Sequence, residues 1–116
     1  LSHSCIRQQF GQPVNVLISR FAAEFIRDFP AWMADAEAPV PRLQSFGYLY
    51  LADSEGFAEV LRDNARMQNA LGAATRILSP ADIRRQWPFM EVGDLLCASH
   101  NPVDEGYFDG ATVFDW

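Results

Sequence analysis

Lysine is absent from this 116-residue chain, and all nine of its basic residues are arginine. Schiff-base chemistry, a P-loop phosphate grip and a lysine general base therefore cannot come from these residues. Positive charge is scarce in total: Lys+Arg 9 stand against Asp+Glu 15, for a formal charge of -6. That balance argues against non-specific nucleic-acid binding, which needs clustered cations to neutralise phosphates. No apolar run approaches the roughly 18 residues of a membrane span. The start LSHSCIRQQF has neither the charged-then-apolar order nor the cleavage site of a secretory signal. The expectation is a cytoplasmic protein with no membrane partner. The two cysteines, Cys5 and Cys97, are far apart and form no CxxC pattern, which favours two free thiols over one long-range disulfide. Also missing are internal repeats, a strand followed by GxGxxG, and a strand-turn-helix carrying a nucleophile elbow.

What is present suffices for a globular core. With 49% hydrophobic and 21% charged residues, the composition excludes disorder, and a chain this long buries roughly two-thirds of its unfolded surface without metal or disulfide staples. Leu1 stands where a complete chain has Met, and residues 114–116 read as the opening of a helix, as expected of a piece of a longer protein.

Val14, Leu17, Ile18, Phe21, Phe25 and Phe29 recur at helical spacing, with Pro13 suited to a first helical position and Pro30 to a stop. The spacing predicts a helix of about four turns whose apolar stripe is its buried face. A polar, proline-bearing surface link covers residues 35–41. Residues 46–52, FGYLYLA, lack polar alternation and predict a strand covered on both faces. Asp53 or Ser54 should cap a second helix carrying Phe57, Val60, Leu61, Met67 and Leu71, which stops at Gly72. A short strand follows over residues 73–78. Ser79, Pro80 and Asp82 then start a short helix that ends at Trp87-Pro88. Residues 95–99 and 106–108 are further strand candidates flanking the turn Asn101-Pro102-Val103-Asp104, and Asp109 can cap a helix beginning at Gly110. The order predicts an α+β fold with a small mixed or antiparallel sheet and three or four helices.

Cys97-x-x-His100 has a zinc-like spacing, and His3 and Cys5 complete four soft ligands. A cysteine in an apolar strand usually just packs, however, so no metal site is expected. A Cys/His nucleophile pair lacks an orienting third group. Asp104, Glu105 and Asp109 read as a solvated turn, since calcium-loop spacing is absent. Tyr48, Tyr50, Trp87 and Tyr107 could line a pocket but read better as core. The segment from Ser2 to Gly11 fits a bland loop least well. Its hydroxyls and free backbone N–H groups suit phosphate or a polar cofactor edge, and Arg7 can offer a planar fork to a carboxylate.

The strings SHSCIRQQFGQP, NVLISRFAAEFIRDF, FGYLYLA, NARMQNALGAATRILSPADIRRQWP and DEGYFD, in this order, resemble an interior stretch of the FAD-dependent oxidoreductases of the D-amino-acid oxidase and sarcosine oxidase family. The resemblance implies part of a larger two-domain flavoprotein fold, with residues 1–12 as a flavin-adjacent loop and 13–116 as a partial substrate domain. It implies FAD as cofactor, oxidation of the C–N bond of an amino acid or N-methyl amine, and a need for the remainder of the chain, with oligomerisation possible. His3, Ser4, Cys5 and Ile6 fall on the loop beside the flavin. Arg7 falls on an arginine that holds the substrate carboxylate, and Gln12 on a polar position nearby. No catalytic residue is assigned, because the family's nucleotide-binding fingerprint and its later active-site positions lie outside these residues. The family often has glycine where Ser4 and Cys5 stand, and Asp-Pro where Asp109-Gly110 stands. A rival expectation is a non-catalytic α+β module that kept the scaffold without FAD.

Overall fold

Strand β4 (Cys97–Asn101) is the middle of a three-stranded antiparallel sheet and all five of its residues are buried. It pairs on one side with β2 (Tyr48–Ala52), from Tyr48↔Asn101 to Ala52↔Cys97, and on the other with β3 (Arg76–Leu78). Its first three residues, Cys97, Ala98 and Ser99, are small, which lets layers approach both faces, and alternation sends Cys97 and Ala98 to opposite sides. Cys97 packs with Ala52 and with Ala58 and Leu61 of helix α3 (Glu55–Ala70). Ala98 packs with Leu78, Val92 and Ile83 of helix α4 (Pro80–Gln86). The computed structural model describes residues 5–114.

A second, two-stranded sheet pairs β1 (Cys5–Ile6) with β5 (Gly106–Tyr107), Cys5↔Tyr107 and Ile6↔Gly106, and Gln44 bridges to Tyr107 beside it. Helix α1 (Pro13–Arg27) runs from this sheet into the short α2 (Phe29–Trp32), and α5 (Gly110–Phe114) closes the described chain. The architecture is thus α+β and wholly antiparallel.

Capping explains the helix starts. Ser54 Oγ accepts from Phe57 N at 3.3 Å. Ser79 and Asp82 form a reciprocal box at α4, with Asp82 N donating to Ser79 Oγ at 3.2 Å and Ser79 N to Asp82 Oδ2 at 3.0 Å. Asp109 Oδ1 accepts from Ala111 N at 3.1 Å at the start of α5. Such caps satisfy N–H groups that have no partner within the helix.

Several expectations change. Residues 5 and 6 form a strand rather than a loop, pairing with Gly106 and Tyr107 of β5. Pro30 does not stop the chain from turning but sits in the first turn of α2, where its missing N–H has no helical partner to lose. The apolar stripe of α1 is turned outward: Val14, Leu17, Ile18 and Phe21 are all more than half exposed, while Val16, Ala23 and Ile26 are buried. This helix is apolar around most of its girth, so the periodic pattern marks two faces, and the one carrying alanine makes the closer contact. Phe57 and Val60 of α3 are likewise exposed, with Ala58, Leu61, Ala65 and Gln68 buried instead. Strand β2 is an edge strand with Leu51 exposed rather than covered on both faces, and the strand expected at 95–99 is shifted by two residues.

Candidate functional site

The segment following β1 is fixed by a buried carboxylate. Glu105, fully buried, accepts from Gln8 N at 2.6 Å through Oε2, and from Gln9 Nε2 at 3.0 Å and Tyr48 N at 3.2 Å through Oε1. Burial pushes its carboxyl above the ordinary glutamate range, while these donors pull the other way. Gln9 also donates to the carbonyl of Tyr48 at 2.7 Å and accepts from Ser99 Oγ. Gln68 reaches across from α3 to the carbonyl of Phe10 at 2.9 Å and is itself held by Thr75 Oγ1 at 2.7 Å. The chain from Ile6 to Phe10 is therefore anchored to both sheets and to α3.

These anchors leave Arg7 directed outward. Its Nη1 donates to Tyr50 Oη at 2.5 Å and its guanidinium carbon lies 4.6 Å from the centre of the Phe10 ring. A cation over an aromatic face is held there by the ring quadrupole. Arg7 helps line a cavity of about 370 Å³ together with Cys5, Ile6, Phe10, Ile18, Ser19, Ala22 and Tyr48. A neighbouring apolar groove of about 450 Å³ shares Cys5, Ile6, Ile18 and Ala22 and continues along α1 to Phe21, Phe25, Ile26 and Phe108. Within the first cavity, Tyr48 is pushed up to about 12, chiefly by its side-chain hydrogen bond with Cys5 and then by burial. Its phenol stays protonated throughout the neutral range.

Cys5, Ile6 and Arg7 are thus brought together on one cavity wall. Gln12 is exposed at the start of α1, outside both linings, and its carbonyl accepts from Asn15 N and Val16 N. His3 and Ser4 lie outside the described residues. The backbone donors expected to be free in this segment are partly used, because Gln8 N goes to Glu105 and Phe10 N to the Gln8 carbonyl at 2.8 Å. Glu105 is a buried anchor, not part of a solvated turn. Asp104 beside it is partly exposed and pairs with Arg27 at 3.2 Å. Of the aromatics expected as core, Tyr50 and Trp87 pack against the two clusters, Tyr48 lines the cavity, and Tyr107 is exposed. Sequence reasoning missed Gln8, Gln9 and Ser99. No local pattern pointed to them, since Glu105, the shared partner of Gln8 and Gln9, lies 96 positions from Gln9.

Cys97 and His100 fall on opposite faces of β4, Cys97 among Ala52, Ala58 and Leu61, and His100 edge-on to Trp87 with ring centroids 5.2 Å apart. Among the described residues no three His, Cys, Asp or Glu are grouped to hold a metal ion. Among the same residues no helix is long and apolar enough to cross a membrane.

No family model matches the sequence. Individual proteins do. The FAD-dependent oxidoreductase domain-containing protein 1 of Bos taurus is 38% identical over 111 residues, covering 94% of this chain and 23% of the bovine protein. The Mus musculus protein of the same name is 38% identical over 106 residues, and that of Xenopus laevis 31% over 117 residues, covering 99% of this chain. Over nearly its whole length the chain is similar to one stretch of these FAD-dependent oxidoreductase domain-containing proteins. It spans about a quarter of the length of these FAD-dependent oxidoreductase relatives. Two solved structures share its fold. L-proline dehydrogenase from P. horikoshii matches with a TM-score of 0.75 at 23% identity over 95% of this chain and 28% of its own. Glycine oxidase from Bacillus cereus matches with a TM-score of 0.68 at 13% identity over 98% of this chain and 30% of its own. The fold of the described residues is therefore that of a part of larger oxidoreductases.

Proposed function

We propose that this chain is the part of an FAD-dependent enzyme that seats one side of the flavin and grips the carboxylate of an amino acid or N-methylated amine undergoing oxidation at its C–N bond. The observation that carries this reading is the setting of Arg7, an exposed guanidinium on the wall of a largely apolar cavity, held from behind by Tyr50 and Phe10. One N–H of the guanidinium goes to Tyr50. A guanidinium carries five such donors, so a fork remains for a carboxylate.

The cavity fits the proposed cofactor in kind: apolar walls suit a planar ring system, and a protonated phenol at Tyr48 offers a neutral polar edge. Cys5 and Ile6 would hold the flavin side of this seat, with His3 and Ser4 preceding them, so that residues 1–12 form the flavin-adjacent segment and 13–116 part of the substrate domain. Gln12, exposed outside both linings, has no contact with this cavity and is given no role in it. The chemistry FAD supplies when bound is acceptance of a hydride equivalent from the carbon of the C–N bond. What this chain's own residues do is orient. Arg7 fixes one end of the substrate, which converts a collisional encounter into a positioned one.

The absorbance spectrum of the full-length protein tests the reading. Flavin bands that shift on adding acetate, and cease to shift in Arg7→Ala, are the expected result. A colourless full-length protein would overturn it.

A further inference from the structure

Arg7 is bracketed by two consecutive residues, Gly106 at the start of β5 and Glu105 just before it. On its N-terminal side Ile6 pairs with Gly106; on its C-terminal side Gln8 N donates to Glu105 at 2.6 Å. The bracket is rigid for two reasons. Gly106 is locked against the Gln44 carbonyl, where no Cβ fits, and Glu105 is fully buried with donors on both of its oxygens. A buried carboxylate surrounded by N–H groups holds them far more firmly than a neutral acceptor would, since charge-assisted hydrogen bonds are roughly twice as strong. Gln9, the next residue, ties the same carboxylate to the Tyr48 carbonyl and to Ser99, and Tyr48 begins the strand that carries Tyr50, the partner of Arg7. One carboxylate therefore fixes both the backbone that bears the guanidinium and the strand that bears its hydroxyl support.

We propose that Glu105 is a positioning residue for Arg7, setting the register in which the guanidinium meets a carboxylate ligand without touching that ligand itself. The proposal rests on the reading that Arg7 grips a carboxylate. Glu105→Gln keeps the size but replaces one acceptor oxygen by an NH2 group, which must face an N–H donor on one side or the other. Gln8 N or the pair Gln9 Nε2 and Tyr48 N then loses its acceptor.

The test uses the full-length flavin-loaded protein, with acetate as probe and acetamide as its uncharged counterpart, each titrated against the flavin absorbance. Glu105→Gln should weaken acetate binding about fivefold or more, leave acetamide binding and flavin content unchanged, and add nothing to the loss already caused by Arg7→Ala in the double variant. A role confined to folding would lower flavin content or the melting temperature while the remaining loaded protein bound acetate normally, and that outcome overturns the proposal. Acetate binding that falls in Arg7→Ala but not in Glu105→Gln overturns it alone. Acetate binding unaffected by Arg7→Ala overturns the carboxylate reading and the proposal with it. Should Glu105→Gln not accumulate as folded protein, Gln9→Leu removes one donor from the same carboxylate. It should weaken acetate binding about two- to threefold, and no change there overturns the proposal.

Discussion

Arg7 Nη1 donates to the hydroxyl of Tyr50, 43 positions away in the chain, at 2.5 Å. The hydroxyl is the only part of Tyr50 this contact needs, because the ring packs against the cluster of Ala52, Ala58, Leu61 and Cys97. Tyr50→Phe should therefore leave the melting temperature nearly unchanged while freeing the guanidinium. In the full-length protein the KM for a carboxylate-bearing amine should rise about two- to tenfold, the net worth of one ordinary exposed hydrogen bond. Arg7→Ala should raise it by about one to three orders of magnitude, and Arg7→Lys should recover only part of the loss, since an ammonium lacks the planar fork. An Arg7→Lys enzyme with wild-type KM would show that charge alone matters.

His100 gives a pH dependence with a definite sign. It is buried on β4 beside Trp87, its Nε2 is 3.4 Å from the Phe46 carbonyl and its Nδ1 is buried without a partner. Burial holds its pKa below the ordinary 6.5, and the nearby Arg76 charge adds to that. The unfolded chain then binds a proton at a higher pH than the folded one. Stability present above the unfolded value is lost as pH falls through 6.5 toward the depressed folded value. Urea midpoints should drop between about pH 7.5 and 5, and His100→Phe should flatten that drop. An equal slope in the variant would assign the acid sensitivity to other groups.

Glycine offers two opposite outcomes from one substitution. Gly56→Ala, in the first turn of α3 with open space around it, should stabilise the protein by about 0.5–1 kcal/mol through lost unfolded-chain freedom and better helix propensity. Gly106→Ala would drive a methyl group to 1.7 Å from the Gln44 oxygen. Backbone cannot yield as a side-chain tip can, so β5 must leave either Gln44 or β1, for a loss of about 3 kcal/mol or more. Thermal melts of the two variants side by side would test both, and equal shifts would contradict the packing described.

These residues also show how far the sequence could be read. The capping box at Ser79 and Asp82, the stop at Gly72 and the cap at Asp109 were legible because each is a local device whose signal and structure lie within four residues. The α+β class followed from element order, and the choice of the segment around Arg7 as the candidate site followed from its poor fit to a plain loop and from the family resemblance. Glu105 was not legible. Its burial depends on Gln8, Gln9 and Tyr48, which lie 57 to 97 positions away, and no local pattern distinguishes an acid folded inward from one in water. The outward face of α1 failed for a related reason: periodicity reports that a face is apolar, not what it meets.

That face supports a last prediction. Val14, Leu17, Ile18 and Phe21 of α1 are each more than half exposed, and Trp32 of α2, also more than half exposed, stacks edge-on to Phe21 with ring centroids 5.5 Å apart. Soluble monomers seldom leave so large a contiguous apolar patch in water. The 116-residue chain by itself should therefore self-associate and bind a hydrophobic dye. A double change of Leu17 and Phe21 to glutamate should suppress both, because neither side chain carries the core and charges on the patch oppose association. Sedimentation of the wild-type chain and the variant at equal concentration separates the possibilities. A wild-type chain that runs as a dye-silent monomer would mean the exposed side chains collapse onto α1 and α2 in solution, and the patch would lose its significance as a binding face.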